Sequence, residues 1–429
     1  MAAMIARPAS LAVRVPGDKS ISHRALICAA LASGRSRVRN ILPSADVRST
    51  AGVLRALGAR MPQLTDDMRV DGRGLTGLVV TDESLDCGNS GTTARLMSGV
   101  LSGCPFPSRL IGDASLSRRP MGRVARPLTT MGAQFTFDAG EHLPMVITGG
   151  RLRSIEFDSP TASAQVKSAI LLAGLVGGVP VTVREPVRSR DHTERMLAAL
   201  GIEVRSSGLE ASLEPASELS AFQLDVPADP SSAAFFAALA AAGGIGGGGP
   251  LELTDVALNP TRLGFFRVLR DMGADVAWEV HRDECGEPVG TITVAPRELG
   301  GVEVRGEQVP AMIDELPMLA CLATLADGVT EIRGASELRV KESDRIAAVV
   351  QNLRVVGADA DELPDGLRVR GSRGGRALGG AVLTHGDHRL AMAFGVLGAL
   401  SGNAITVDDP DCVSVSYPGF WSDLERVTT

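Results

Sequence analysis

The chain of 429 residues is too long for one continuous hydrophobic core, so two domains of ordinary size are expected. Its 44% hydrophobic and 22% charged residues exclude a disordered chain. With 43 Lys and Arg against 50 Asp and Glu, the net charge of −7 argues against a broad nucleic-acid or anionic-membrane surface and leaves room for local basic sites.

In chain order, the N-terminal stretch MAAMIARPASLAVRVPGDKS has no apolar run ahead of its charges. No secretory leader is expected there, and a cytoplasmic location follows. An Ala/Leu-rich segment with a small or polar start and a glycine end then appears six times: SHRALICAALASG, GTTARLMSGVLSG, SAQVKSAILLAGLVGG, SSAAFFAALAAAGG, DELPMLACLATLADG and DHRLAMAFGVLGALSG. Their final glycines, Gly34, Gly103, Gly178, Gly244, Gly328 and Gly402, lie 66–84 residues apart. That spacing marks a repeat, and each glycine is expected to cap its helix. With 3% aromatic residues and 49 glycines, these helices must pack through Ala, Val and Leu with backbones close together.

Behind five of the six comes a more amphipathic helix stopping at Gly58, Gly132, Gly201, Gly273 or Gly357, followed by period-2 segments such as GIEVRSSGLEASL. The unit reads strand, buried helix, strand, second helix, strand, strand. The sixth copy ends instead in YPGFWSDLERV. Six units divide into three plus three, an α/β protein of two lobes. Residues 18–228 are expected to form one lobe, and residues 1–17 with 229–429 the other, the strand from Leu11 to Val15 joining the C-terminal lobe. The longest nearly apolar run, Ala233 to Gly248, is too short to span a bilayer.

Helix N-termini are natural anion sites, because their first N–H groups lack partners and the helix dipole is positive there. The buried helices start at Lys19-Ser20, Asn89-Ser90-Gly91, Ser163-Ala164-Gln165, Ser231-Ser232, Asp314-Glu315 and Asp387-His388-Arg389. Simple capping accounts for any one of these starts. The set gains a second meaning from Lys19, Arg24, Arg119, Arg190, Lys341, Arg345 and Arg389, which sit beside glycines, prolines or helix starts. Arg offers a two-pronged grip on carboxylate or phosphate, and Lys a mobile charge. In KESDR, helical spacing would stack Lys341 on Arg345. The candidate acid and base groups are Asp314, otherwise the N-cap of the fifth buried helix, and Glu342, otherwise a partner of Lys341 or Arg345. Desolvation would raise their pKa values and nearby cations would lower them, and sequence alone leaves that contest open.

Covalent and metal chemistry have no support in sequence. The six histidines, His23, His142, His192, His281, His385 and His388, lack metal-ligand spacing, and no metal site is expected. There is no GxSxG, Walker A or GxGxxG motif. The six cysteines form no CxxC pair and are expected as buried free thiols of a reducing compartment.

The segments PGDKSISHRALICAALASG, DCGNSGTTARLMSG, RRPM, SRDHTERML, DPSSAAFFAALAA, RVKESDRI and GDHRLAMAF resemble the signature segments of EPSP synthases, in that family's order and over nearly the whole chain. The resemblance implies a two-domain inside-out α/β fold, each lobe built from three βαβαββ units around buried parallel helices, with the active site in the interdomain cleft. It also implies transfer of the enolpyruvyl group of phosphoenolpyruvate to the 5-hydroxyl of shikimate 3-phosphate, without metal or organic cofactor, by a monomer.

By the same resemblance Lys19, Ser20 and Arg24 hold the shikimate substrate, with Lys19 also meeting phosphoenolpyruvate. Ser163, Ala164, Gln165 and Arg190 take its phosphate and ring. Arg119, Arg345 and Arg389, with Asn89 and Gly91, clamp phosphoenolpyruvate, while Lys341 binds near the shikimate carboxylate or hydroxyls. Asp314 orients or deprotonates the 5-hydroxyl, and Glu342 exchanges a proton with the methylene carbon.

Departures from the family pattern include Ala164 for a common Ser, and Val415 where many members carry Lys. Gly91 implies sensitivity to glyphosate, since Ala at that position accompanies tolerance in the family. The rival reading is the related UDP-N-acetylglucosamine enolpyruvyl transferase, which carries a loop Cys where this chain reads DASLSRRPM.

Overall fold

The computed structural model describes residues 10–373 and 376–429. The first nine residues of the stretch read above for a leader lie outside them. The chain divides into two units: unit A is Gly17–Pro227 with Asp283–Glu287, and unit B comprises the chain up to Pro16, Ala228–Arg282 and Pro288–Thr429.

Unit A contains α1 (Lys19–Leu31), α2 (Ala45–Ala56), α3 (Gly91–Ser102), α4 (Gly122–Met131), α5 (Ala164–Gly177) and α6 (His192–Ala199). Unit B contains α7 (Pro230–Ala241), α8 (Gly264–Asp271), α9 (Leu316–Ala323), α10 (Arg345–Val355), α11 (His388–Ala399) and α12 (Phe420–Thr428). Odd-numbered helices are the buried copies. All twelve residues of α7 and all eight of α9 are buried, as befits helices apolar all round.

In four of the six repeats the strands before and after the buried helix pair in parallel, since parallel pairing requires a crossover that the helix supplies, and antiparallel strands extend all but the last of these sheets. In unit A, Leu85–Asp86 runs parallel to Pro107–Ile111 and Ile155–Asp158 parallel to Val181–Arg184. Arg35–Arg39 takes its parallel partner, Gln223–Asp225, from the far end of the unit. In unit B the corresponding first strand is Leu11–Val13, parallel to Leu251–Ala257. The last repeat is cut short to the pair Gly379–Val382 and Ala404–Val407, then α12.

Close backbone packing is plainest between α3 and α5. A Cβ on Gly99 would lie 2.1 Å from the carbonyl oxygen of Ala169, so any side chain there would force the helices apart. Unit B has a core cluster that includes an aromatic group: Phe235 and Phe236 of α7 meet Phe420 and Tyr417 at ring separations of 5.9–6.0 Å, and Phe420 in turn packs on Trp421 at 5.0 Å.

The glycines after the second helices behave as expected. Gly58, Gly132, Gly201, Gly273 and Gly357 all have φ between +85° and +119°, the left-handed turn that ends a helix. The buried helices differ. Gly103 and Gly178 cap α3 and α5, but α1 ends at Leu31 and α9 at Ala323, and Gly34 and Gly328 bend the chain into the next strand. At α7 the left-handed residue is Gly243, not Gly244, and α11 closes on Leu400 in extended conformation.

Two further expectations are corrected. Asp314 does not cap the fifth buried helix, because α9 starts later, at Leu316, with Glu315 in the cap position and Pro317 in the first turn. Lys341 does not stack on Arg345 within a helix, because Asp344 caps α10 and Lys341 lies in extended backbone before it. Among the described residues no helix is long and apolar enough to cross a membrane.

Candidate active site

In unit A the predicted residues gather at the N-terminal ends of α1, α3 and α5. Asp18 caps α1 by accepting the Ile21 N–H at 2.7 Å, which places Lys19 and Ser20 in the first turn. Lys19 Nζ reaches Asp46 of α2 at 3.1 Å. Arg24, one turn on and 5% exposed, donates to Thr193 Oγ1 at 2.7 Å, Ser168 Oγ at 2.8 Å and the Ser20 carbonyl at 3.0 Å. Burial pushes its pKa down to about 10; Glu194 and Asp18 oppose that effect and Arg190 adds to it. Arg190, half-buried just ahead of α6, therefore acts electrostatically on Arg24.

Ser90 caps α3 and Ser163 caps α5 through their hydroxyls. Between these helices Gln165 accepts from Arg95 Nη1 at 2.7 Å and donates to Thr92 Oγ1 at 3.0 Å. Arg119 donates to the side-chain oxygen of Asn89 at 2.6 Å, its carbonyl at 3.3 Å and Ser115 Oγ at 3.2 Å. Gly91 leaves room for these cations: a Cβ there would lie 2.8 Å from Arg95 Nη1 and 3.5 Å from Arg119 Nη1. Ala164 is the first residue of α5. Behind the ends, His23 meets Thr50 at 2.7 Å, and Thr50 meets Thr93 at 2.6 Å. Burial first, then Lys19 and Arg24, hold the His23 imidazole well below its usual 6.5, so it is neutral near pH 7.

Unit B assembles a second group around Arg345, whose side chain is 2% exposed. It donates to Asp387 from Nε at 2.8 Å and from Nη2 at 3.2 Å, to Glu342 at 2.7 Å and to Asp314 at 3.4 Å. Desolvation works against the charge, but Asp387, Glu342 and Asp314 together hold the Arg345 pKa above its ordinary value. Lys341 Nζ lies 3.7 Å from the same oxygen of Asp314, so Lys341 and Arg345 share one carboxylate.

Asp387 also caps α11 by accepting the N–H of Arg389 at 2.9 Å. The Arg389 guanidinium is 5.9 Å from the Phe235 ring, and its Nη1 is buried with no hydrogen-bond partner among the described residues. Val415 ends the short turn Pro410–Val415, and Tyr417 beside it is buried, donating to Asp423 at 2.7 Å.

Arg95, Lys167 and Glu185 escaped the sequence reading. The first two carried a signal, since a charge inside an otherwise apolar helix must find a partner. Among the described residues no cluster of three or more His, Cys, Asp or Glu is placed to hold a metal ion, and the six cysteines are free thiols.

Cations and helix starts assembled by a repeated α/β scaffold define a protein that grips small multiply charged anions, with carboxylates at hand for proton transfer. The family model for EPSP synthase (3-phosphoshikimate 1-carboxyvinyltransferase) matches residues 6–424, and the chain belongs to that family. A 3-phosphoshikimate 1-carboxyvinyltransferase of Sulfurihydrogenibium is 50% identical over 421 residues, covering 97% of this chain and 96% of the relative. One from Geobacillus kaustophilus is 47% identical over 416 residues, covering 97% of each. The solved EPSP synthase of Acinetobacter baumannii superposes with a TM-score of 0.84 at 40% identity, over 98% of this chain and 97% of that one. The fold is the two-domain inside-out α/β fold of that family.

Proposed function

We propose that the protein transfers the enolpyruvyl group of phosphoenolpyruvate to the 5-hydroxyl of shikimate 3-phosphate and releases phosphate, acting as a cytoplasmic monomer. The observation that carries this reading is the Arg345 group. One buried cation holds Asp314 and Glu342 while Lys341 shares Asp314, which keeps two carboxylates positioned among positive charges.

Both units contribute residues to this one reaction. Lys19, Ser20, Arg24, Ser163, Ala164, Gln165 and Arg190 of unit A take shikimate 3-phosphate, with Lys341 of unit B near its carboxylate or hydroxyls. Arg119, Asn89 and Gly91, with Arg345 and Arg389, take phosphoenolpyruvate.

Glu342 protonates the methylene carbon, and positive character develops at the adjacent carbon. The 5-hydroxyl, deprotonated by Asp314, adds there to give a tetrahedral intermediate. Phosphate then leaves, taking the proton held by Asp314, as Glu342 takes back a methyl proton, restoring the double bond. Fixed cations stabilise the anionic groups throughout, and exclusion of water keeps the competing nucleophile away.

The test is phosphate release from phosphoenolpyruvate. Release is expected with shikimate 3-phosphate, none with UDP-N-acetylglucosamine, and glyphosate is expected to inhibit. Turnover with the nucleotide sugar alone would overturn the reading.

A further inference from the structure

A buried ionic cluster in unit A has no part in the chemistry above, yet it connects to residues that do. Glu185 follows the strand Val181–Arg184 directly, and its side chain is 2% exposed. One carboxylate oxygen accepts the backbone N–H of Ser163 at 2.9 Å. The other accepts from Lys167 Nζ at 2.7 Å and from the Ser189 hydroxyl at 2.7 Å, with the Ser189 N–H at 3.4 Å. Lys167, one turn into α5 and 5% exposed, also meets Glu194 of α6 at 2.9 Å. Thr193, next to Glu194, donates to Ser168 Oγ at 2.7 Å, and both hydroxyls accept from Arg24.

A single carboxylate thus fixes two chain segments. One is the cap residue of α5, where Ser163, Ala164 and Gln165 lie. The other is the residue immediately before Arg190. Two carboxylates and one ammonium leave the cluster with one net negative charge, the sign that offsets Arg24, and Glu194 does act on Arg24 in that direction. Opening such a cluster to gain stability alone would be easy, because buried ion pairs are often no better than apolar replacements. Its connections explain its presence better.

We infer that Glu185, with Lys167 and Glu194, is a positioning device that sets the α5 start and the Arg190 loop to receive the phosphate of the acceptor substrate. The inference rests on the function proposed above and deepens it. It separates the two substrates, because none of the hydrogen bonds of Glu185 goes to Arg119, Asn89, Arg345 or Arg389.

The experiment measures KM for each substrate, kcat and thermal midpoint for the wild type, Glu185→Gln and Ser189→Ala. Glu185→Gln is expected to raise KM for shikimate 3-phosphate roughly 10-fold or more, the scale of one lost charge-assisted contact, with KM for phosphoenolpyruvate within about 2-fold. Ser189→Ala removes only a hydroxyl, leaves no buried charge unpaired and is expected to act in the same direction by roughly 3-fold. Adding Lys167→Gln to Glu185→Gln restores the charge balance and is expected to recover most of the loss.

Equal rises in both KM values, or a lowered midpoint with unchanged KM values in both variants, would overturn the positioning role while wild-type turnover leaves the proposed function standing. Absence of phosphate release from the wild type with shikimate 3-phosphate would overturn both.

Discussion

Arg24 of unit A and Arg345 of unit B hold their charge in different ways. In unit A, Arg24 donates to two hydroxyls and a backbone carbonyl, so its charge is oriented by hydrogen bonds to neutral groups. In unit B, Arg345 is enclosed by Asp387, Glu342 and Asp314. A cation held by neutral groups keeps its attraction for an arriving anion. A cation surrounded by carboxylates has part of that attraction offset locally and in turn favours their charged forms.

The sharpest way to break this contrast is to remove one support from each unit. Asp387→Asn leaves buried Arg345 without its two-pronged partner and weakens the cap of α11. A loss of about 3–5 kcal/mol is expected by calorimetric unfolding, the scale for breaking a buried pair. A loss below about 1 kcal/mol would show that buried Arg345 does not depend on its carboxylate partner, and the charge-compensated picture of unit B would fail.

Turnover sharpens it next. Either Glu342→Gln or Asp314→Asn is expected to lower kcat by at least ~100-fold in a phosphate-release assay, with the fold intact by circular dichroism, as for the loss of an acid–base group. Wild-type rates in both would assign the two carboxylates to charge balance alone.

The counterpart in unit A is milder. Thr193→Val deletes a neutral acceptor of Arg24 and is expected to cost about 2 kcal/mol, less than Asp387→Asn, because a hydrogen bond is lost but no ion pair.

The smallest effect concerns pH. His23 has its pKa depressed in the fold, so the unfolded chain takes up the proton first as pH falls. Stability from keeping it neutral is present above 6.5 and is lost below that value, by at most about 1.4 kcal/mol per pH unit. Urea unfolding at pH 7 and pH 5 should show a smaller loss for His23→Asn than for the wild type, and equal losses would place the acid sensitivity elsewhere.

What sequence could and could not reveal follows from the range of each interaction. The second-helix glycines were legible because a left-handed end is a local demand that Gly meets best, as at Gly132 and Gly273. Gly34 and Gly328 carry the same local mark but serve the turn into a strand, a distinction made only by where the strand must go. Asp314 was noticed as a candidate acid or base, yet its neighbours Lys341 and Arg345 come from a segment more than twenty residues away. Glu185 was invisible for the same reason. Its partners Ser163, Lys167 and Ser189 are joined to it only when α5 folds against the loop that precedes α6.

The aromatic group beside α7 has a practical consequence for anyone following this protein by light. Both tryptophans, Trp278 and Trp421, and the one tyrosine, Tyr417, belong to unit B. Intrinsic emission therefore watches one half of the molecule and is blind to the melting of the other, so a smooth fluorescence curve would say nothing about whether unit A had already come apart. A single tryptophan introduced on an exposed face of unit A would give that half its own signal.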